Sequence, residues 1–125
     1  PKLYKYYNDV VCRTEKFDPS LQFPFPKSVF SMATFNLGGC VFTERHFDVC
    51  DFAGGLCSIQ ALGNYNHKKC GHLVLYELRL VIEFPPRSEA SIPSACVSHS
   101  NIPVTEEDEF RASFTQYTLG GLCQW

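Results

Sequence analysis

From Val29 onward the chain reads as strands, and over Val29 to Asn36 and Phe110 to Tyr117 apolar and polar positions alternate. Phe30, Met32 (or Ala33) and Phe35 mark Val29 to Asn36 as a strand. Gly38-Gly39 predicts a turn and Cys40 to Thr43 a short strand. Gly54-Gly55 leads into a strand over Leu56 to Leu62, and Gly63-Asn64 with Asn66-His67 predicts the next turn. Leu73 to Tyr76 and Leu78 to Phe84 read as strands rich in branched residues, the second stopped by Pro85-Pro86. Ser91 to Val97 reads as another strand. In Phe110 to Tyr117 the alternation puts Arg111, Ser113, Thr115 and Tyr117 on one face. Gly120-Gly121 predicts a last turn. These elements predict an all-β fold of about eight short strands with little helix, spaced as in a sandwich, jelly roll or barrel.

Residues 1–27 break this pattern. They are aromatic and poorly periodic, and Asp18-Pro19 and Pro24-Phe25-Pro26 mark turns. An extended, irregular leader is expected over residues 1–27, followed by a single core over residues 28–125.

Composition narrows the class. At 125 residues, 45% hydrophobic and 19% charged, the chain suits one folded domain. Its formal net charge of -2 gives no support to a free-standing nucleic-acid binder, so contact with DNA needs a local patch. Arg45, Lys68, Lys69, Arg79 and Arg87 are candidates for one. No membrane span and no signal peptide are expected. The start at Pro1 without a Met suits a chain processed or cut from something longer. Seven cysteines form an odd, irregular set without a Cys-x-x-Cys pair, which favours reduced thiols in an intracellular protein over a disulfide scaffold or a zinc ribbon.

The candidate chemistry lies in His46-Phe47-Asp48. Residues i and i+2 of an extended segment point the same way, so imidazole and carboxylate can share a metal. His99 follows 51 residues after Asp48. Two histidines and one carboxylate form the facial triad of non-haem Fe(II) oxygenases, which leaves positions open for a 2-oxoacid and O2. Arg111, with Ser113 on the same face, is placed to hold the distal carboxylate of a dicarboxylate. Taken singly, each residue has a plainer reading: a surface pair, a loop histidine, a partner for Glu109. His67, His72 and the Glu106–Glu109 run read as solvated loops.

A longer pattern carries a resemblance. It runs from Gly71-His72-Leu73-Val74-Leu75-Tyr76-Glu77-Leu78 through Leu80 to Pro86. It continues with Ile92-Pro93-Ser94-Ala95, His99-Ser100-Asn101-Ile102-Pro103-Val104, Arg111 to Tyr117 and Gly120-Gly121-Leu122. Over about residues 24–125 the chain resembles fungal TET/JBP-like 2-oxoglutarate- and Fe(II)-dependent dioxygenases. Cys70-Gly71, Tyr76 and Pro85-Pro86-Arg87-Ser88 depart from that family's pattern, outside the ligand positions. The resemblance implies a double-stranded β-helix (a jelly roll). It implies iron held by His46, Asp48 and His99 as the catalytic metal site, and 2-oxoglutarate held by Arg111 and Ser113, with Asn36 facing the same pocket. It further implies oxidation of the methyl of a 5-methylpyrimidine, most of all 5-methylcytosine, in DNA by extrusion of the base, and hence a nuclear location. Three other readings stay open: an inactive jelly-roll binding or assembly module, an oxygenase acting on a protein or small molecule, and a secreted disulfide domain.

Overall fold

Two antiparallel sheets turn their apolar faces toward each other, in a computed structural model that describes residues 2–124. The strands are β1 (Met32–Asn36), β2 (Cys57–Asn64), β3 (Leu73–Leu75), β4 (Leu80–Ile82), β5 (Glu89–Ile92), β6 (His99–Asn101) and β7 (Phe110–Tyr117). One sheet has the order β1-β7-β2-β5, the other β4-β3-β6. The alternation expected from the sequence determines which side chains meet. Cys57 and Ala61 of β2 and Ile92 of β5 face Leu73 and Leu75 of β3, and Phe84 and Val97 complete this core.

The expected strands are mostly present but shorter. Val29–Asn36 is reduced to Met32–Asn36, and Leu78–Phe84 to Leu80–Ile82. Cys40–Thr43 makes only an isolated bridge, Cys40 to Arg111, because it runs as a strap across a strand end. The strand expected over Ser91–Val97 lies at Glu89–Ile92, since Pro93 lacks the N–H a ladder needs and opens a turn instead. The Gly120-Gly121 turn is the start of a short 3-10 helix, Gly120–Gln124.

The extended leader expected over residues 1–27 is corrected for its first part, which forms an α-helix, α1, over Lys2–Phe17. Leu3, Tyr7, Val10 and Thr14 repeat at three- and four-residue spacing, and Tyr7 and Val10 are the buried members. Asp18 ends the helix because the following Pro19 disfavours helical backbone. The helix docks through Tyr7, whose hydroxyl accepts from Leu56 N–H at 3.0 Å and donates to Leu56 C=O at 3.1 Å. Gly55 makes this approach possible, since a Cβ there would sit 1.8 Å from the tyrosine oxygen. The Tyr7 ring meets Phe30 and Phe52 at centroid distances of 5.7 and 6.3 Å.

Gly63 is needed for the registry of β2 with β7. It pairs with Arg111 at φ +117°, and a Cβ would lie 2.1 Å from the Phe110 carbonyl oxygen. This tight seam holds Arg111 at the edge of the cavity between the sheets.

Candidate metal centre

A single antiparallel bridge brings the two histidines together. His46 N–H donates to His99 C=O at 3.1 Å, and His99 N–H donates to His46 C=O at 2.9 Å. Residues paired in this way put their side chains on the same face, and here the imidazole centroids are 4.3 Å apart. His99 begins β6 directly opposite Leu75, so its ring lies at the edge of the apolar core and is 5% exposed. Asp48, two residues after His46, returns to the same face, where Ser94 C=O accepts its N–H at 3.0 Å.

The donor atoms converge. His46 Nε2 is 3.5 Å from Asp48 Oδ1, and His99 Nε2 is 3.7 Å from Asp48 Oδ2. One ligand atom from each of His46, Asp48 and His99 lies within 4.8 Å of the others. The tautomers follow from the hydrogen bonds. His46 Nδ1 is 2.8 Å from Glu44 C=O, and His99 Nδ1 is 3.1 Å from Val97 C=O. A carbonyl only accepts, so each Nδ1 carries the proton and each Nε2 presents a lone pair to the cluster. Burial, the largest cause, holds the His99 imidazole below its ordinary pKa and keeps it neutral as a ligand must be. Two imidazoles and one carboxylate, three neighbouring donors with an open side, fit a divalent iron.

The cluster opens into a cavity of about 480 Å³ between the sheets. Arg111 and Ser113, singled out in the sequence for a dicarboxylate, line it together with Asn36, Thr34, Thr115 and Tyr117. The face read from the β7 alternation is thus the cavity face. Arg111 is 2% exposed. It donates to Val41 C=O at 2.8 Å, but its buried Nε has no hydrogen-bond partner. Among the described residues no carboxylate lies within 4.0 Å of it. Burial pulls its pKa down, countered by the neighbouring Tyr65 phenol. A buried cation with an idle donor and no counter-ion fits an anionic ligand. Ser113 Oγ accepts from Asn36 Nδ2 at 3.2 Å, which leaves its own proton to donate.

Two features escaped the sequence. Asp51 lines the cavity because Asp51 N–H donates to Asp48 C=O at 2.9 Å, folding the chain back at that point. Ser94 Oγ donates to Asp51 Oδ2 at 2.9 Å, and burial raises the Asp51 pKa. Its position three residues after Asp48 was the available signal, but a strand reading points it away. Asn101 is the other: its Oδ1 accepts from Thr43 N–H and Oγ1, both at 2.9 Å, and its Nδ2 donates to Val41 C=O at 3.2 Å. It ties down the strap that leads to His46.

The remaining candidates lie elsewhere. His67 is 3.8 Å from Glu83, and neither it nor His72 lines the cavity. All seven cysteines are free, and burial pushes the Cys57 and Cys70 thiols up to about 11.

No protein-family model and no curated protein matches the chain. A solved structure does: NgTET1 in complex with 5mC DNA, at TM-score 0.67 and 17% identity. The fold is similar to that of NgTET1. The match covers 95% of this chain and 47% of NgTET1, so the chain spans about half the length of that protein. No helix among the described residues is long and apolar enough to cross a membrane.

Proposed function

We propose that the chain is a TET/JBP-like 2-oxoglutarate- and Fe(II)-dependent dioxygenase core built on a double-stranded β-helix, oxidising the methyl of 5-methylcytosine in DNA. One observation carries the reading: the convergent His46, Asp48 and His99 donors share a cavity with a buried, counter-ion-free guanidinium. The similarity to NgTET1, solved with 5mC DNA, supports the substrate class.

His46, Asp48 and His99 are the residues that would hold iron, and Arg111 and Ser113 those that would hold 2-oxoglutarate. Iron with 2-oxoglutarate and O2 supplies oxidising power, with succinate and CO2 as by-products. The chain's own contribution is placement. The Glu44 and Val97 carbonyls orient the imidazoles, and Arg111 offers a fixed fork to the distal carboxylate. The Ser113 hydroxyl, oriented by Asn36, adds a second donor. A cavity of about 480 Å³ can take the cosubstrate and a nucleobase turned out of the duplex. Asp51, on the cavity wall and held by Ser94, offers a carboxyl oxygen that can accept from a cytosine amino group. DNA as substrate also places the protein in the nucleus of a nucleated cell.

The test is anaerobic addition of Fe(II) and 2-oxoglutarate, followed by the visible charge-transfer band of the chelate. A band that disappears in the combined His46→Ala and Asp48→Ala variant supports the iron site. Consumption of 2-oxoglutarate stimulated by 5-methylcytosine DNA, and not by unmethylated DNA, supports the substrate. No band with folded wild-type protein returns the fold to a non-catalytic binding module.

A further inference from the structure

Behind the two imidazoles lies a second polar cluster that the proposed chemistry does not use. Arg45 immediately precedes His46, and Ser98 immediately precedes His99. Ser98 is fully buried at 0% exposure. Its N–H donates to Glu77 Oε2 at 2.6 Å, and its hydroxyl donates to Glu77 Oε1 at 2.8 Å. The same hydroxyl accepts from Arg45 Nε at 2.8 Å, while the Arg45 guanidinium meets Glu77 Oε1 at 3.1 Å. That guanidinium also lies 4.4 Å over the Tyr76 ring. Tyr76 N–H donates to Ser98 C=O at 3.0 Å, and the Tyr76 hydroxyl is 3.0 Å from Ser100 Oγ. None of Arg45, Tyr76, Glu77 and Ser98 lines the cavity.

The backbone joins the two histidine segments at a few points only. His46 belongs to no strand and meets His99 at one isolated bridge, flanked by Asn101 N–H to Thr43 C=O at 3.3 Å and Asp48 N–H to Ser94 C=O at 3.0 Å. β6 has only three residues. The cluster adds side-chain bonds to the residue before each histidine and anchors both to the turn between β3 and β4. An ion pair as exposed as Arg45–Glu77, with side chains 56% and 38% accessible, contributes little to stability on its own. Its bonds to a fully buried serine between the ligand segments give it another use.

We propose that Glu77 and Arg45 are positioning residues that set the spacing of His46 and His99, and so tune metal binding without touching the metal. This rests on the metal reading above. Partners that orient metal ligands are worth about 10- to 100-fold in metal affinity.

The test titrates Co(II), anaerobically and without cosubstrate, into wild type, Glu77→Gln, Glu77→Ala and Arg45→Met. Affinity and visible Co(II) bands are read beside the melting temperature of the metal-free protein. The expected order of affinity is wild type, then Glu77→Gln, then Glu77→Ala, the last up to about tenfold weaker with shifted bands, since Glu77 acts one residue removed from the ligands. The glutamine keeps an acceptor for Ser98 N–H, and its partial rescue would separate positioning from bulk destabilisation. Affinity and bands unchanged in a folded Glu77→Ala protein would overturn the proposal. Should that variant fail to fold, Arg45→Met decides at an exposed position: unchanged Co(II) binding there would equally overturn it. Wild type that binds no Co(II) would sink the metal reading itself, and with it this one.

Discussion

Replacing Arg111 by methionine separates binding from stability in one step. The side chain is 2% exposed and donates to one backbone carbonyl, Val41 C=O at 2.8 Å. That carbonyl keeps a second donor in Asn101 Nδ2, so the substitution does not strand it. The lost bond costs about 1 kcal/mol. Against it stands the relief of a buried charge with an unpartnered Nε and, among the described residues, no carboxylate within 4.0 Å. Methionine fills similar apolar volume. The two effects nearly cancel, so the melting temperature of the ligand-free protein should stay within about 4 °C of wild type. Cosubstrate binding should respond very differently. Two charge-assisted bonds to a carboxylate are worth roughly 3–6 kcal/mol together, which is at least about 100-fold in affinity. The assay pairs thermal melting without 2-oxoglutarate with calorimetric titration of 2-oxoglutarate into Mn(II)-loaded protein. A melting temperature lowered by more than about 10 °C, with cosubstrate affinity intact, would show that Arg111 is a structural cation and refute the reasoning.

Three further outcomes are expected. Burial holds the folded His99 pKa below its ordinary 6.5, so the unfolded chain binds more protons between those two values. Stability of the metal-free protein should therefore be complete above about pH 6.5 and decline as the pH falls through the folded pKa; urea midpoints from pH 7.5 to 5 measure it, and a flat profile contradicts the burial argument. Tyr7→Phe removes both bonds to Leu56 and strands a backbone donor and acceptor, so it should cost about 1–3 kcal/mol in urea unfolding. Gly63→Ala meets the Phe110 carbonyl at φ +117° and should cost at least about 2 kcal/mol, read as a loss of soluble folded protein or a lowered urea midpoint.

Period-two alternation is a local property, and it was readable without the fold. It assigned Arg111, Ser113, Thr115 and Tyr117 to one face, which lines the cavity, while branched residues and Gly/Pro turns marked most of the other strands. The His46-Phe47-Asp48 spacing was readable for the same reason, since i and i+2 share a face in any extended segment. The helix Lys2–Phe17 was readable in principle from Leu3, Tyr7, Val10 and Thr14. Its stripe is narrow, with Tyr7 and Thr14 among its four members, and it acquires meaning only from the Leu56 backbone 49 residues away.

Everything that turns those residues into a site is non-local. The His46–His99 bridge joins a strap to a strand, and neither partner carries a signal for the other. The protonated nitrogens are set by the Glu44 and Val97 carbonyls, whose directions depend on backbone conformation. Asp51 enters the cavity through a turn that a strand reading sends the other way. Glu77 reaches Ser98 across 21 residues of sequence. Residue type and spacing therefore determined which chemistry the chain can carry. Only long-range pairing of backbone segments decided which groups meet, because a hydrogen bond between distant strands constrains side chains that no local pattern relates.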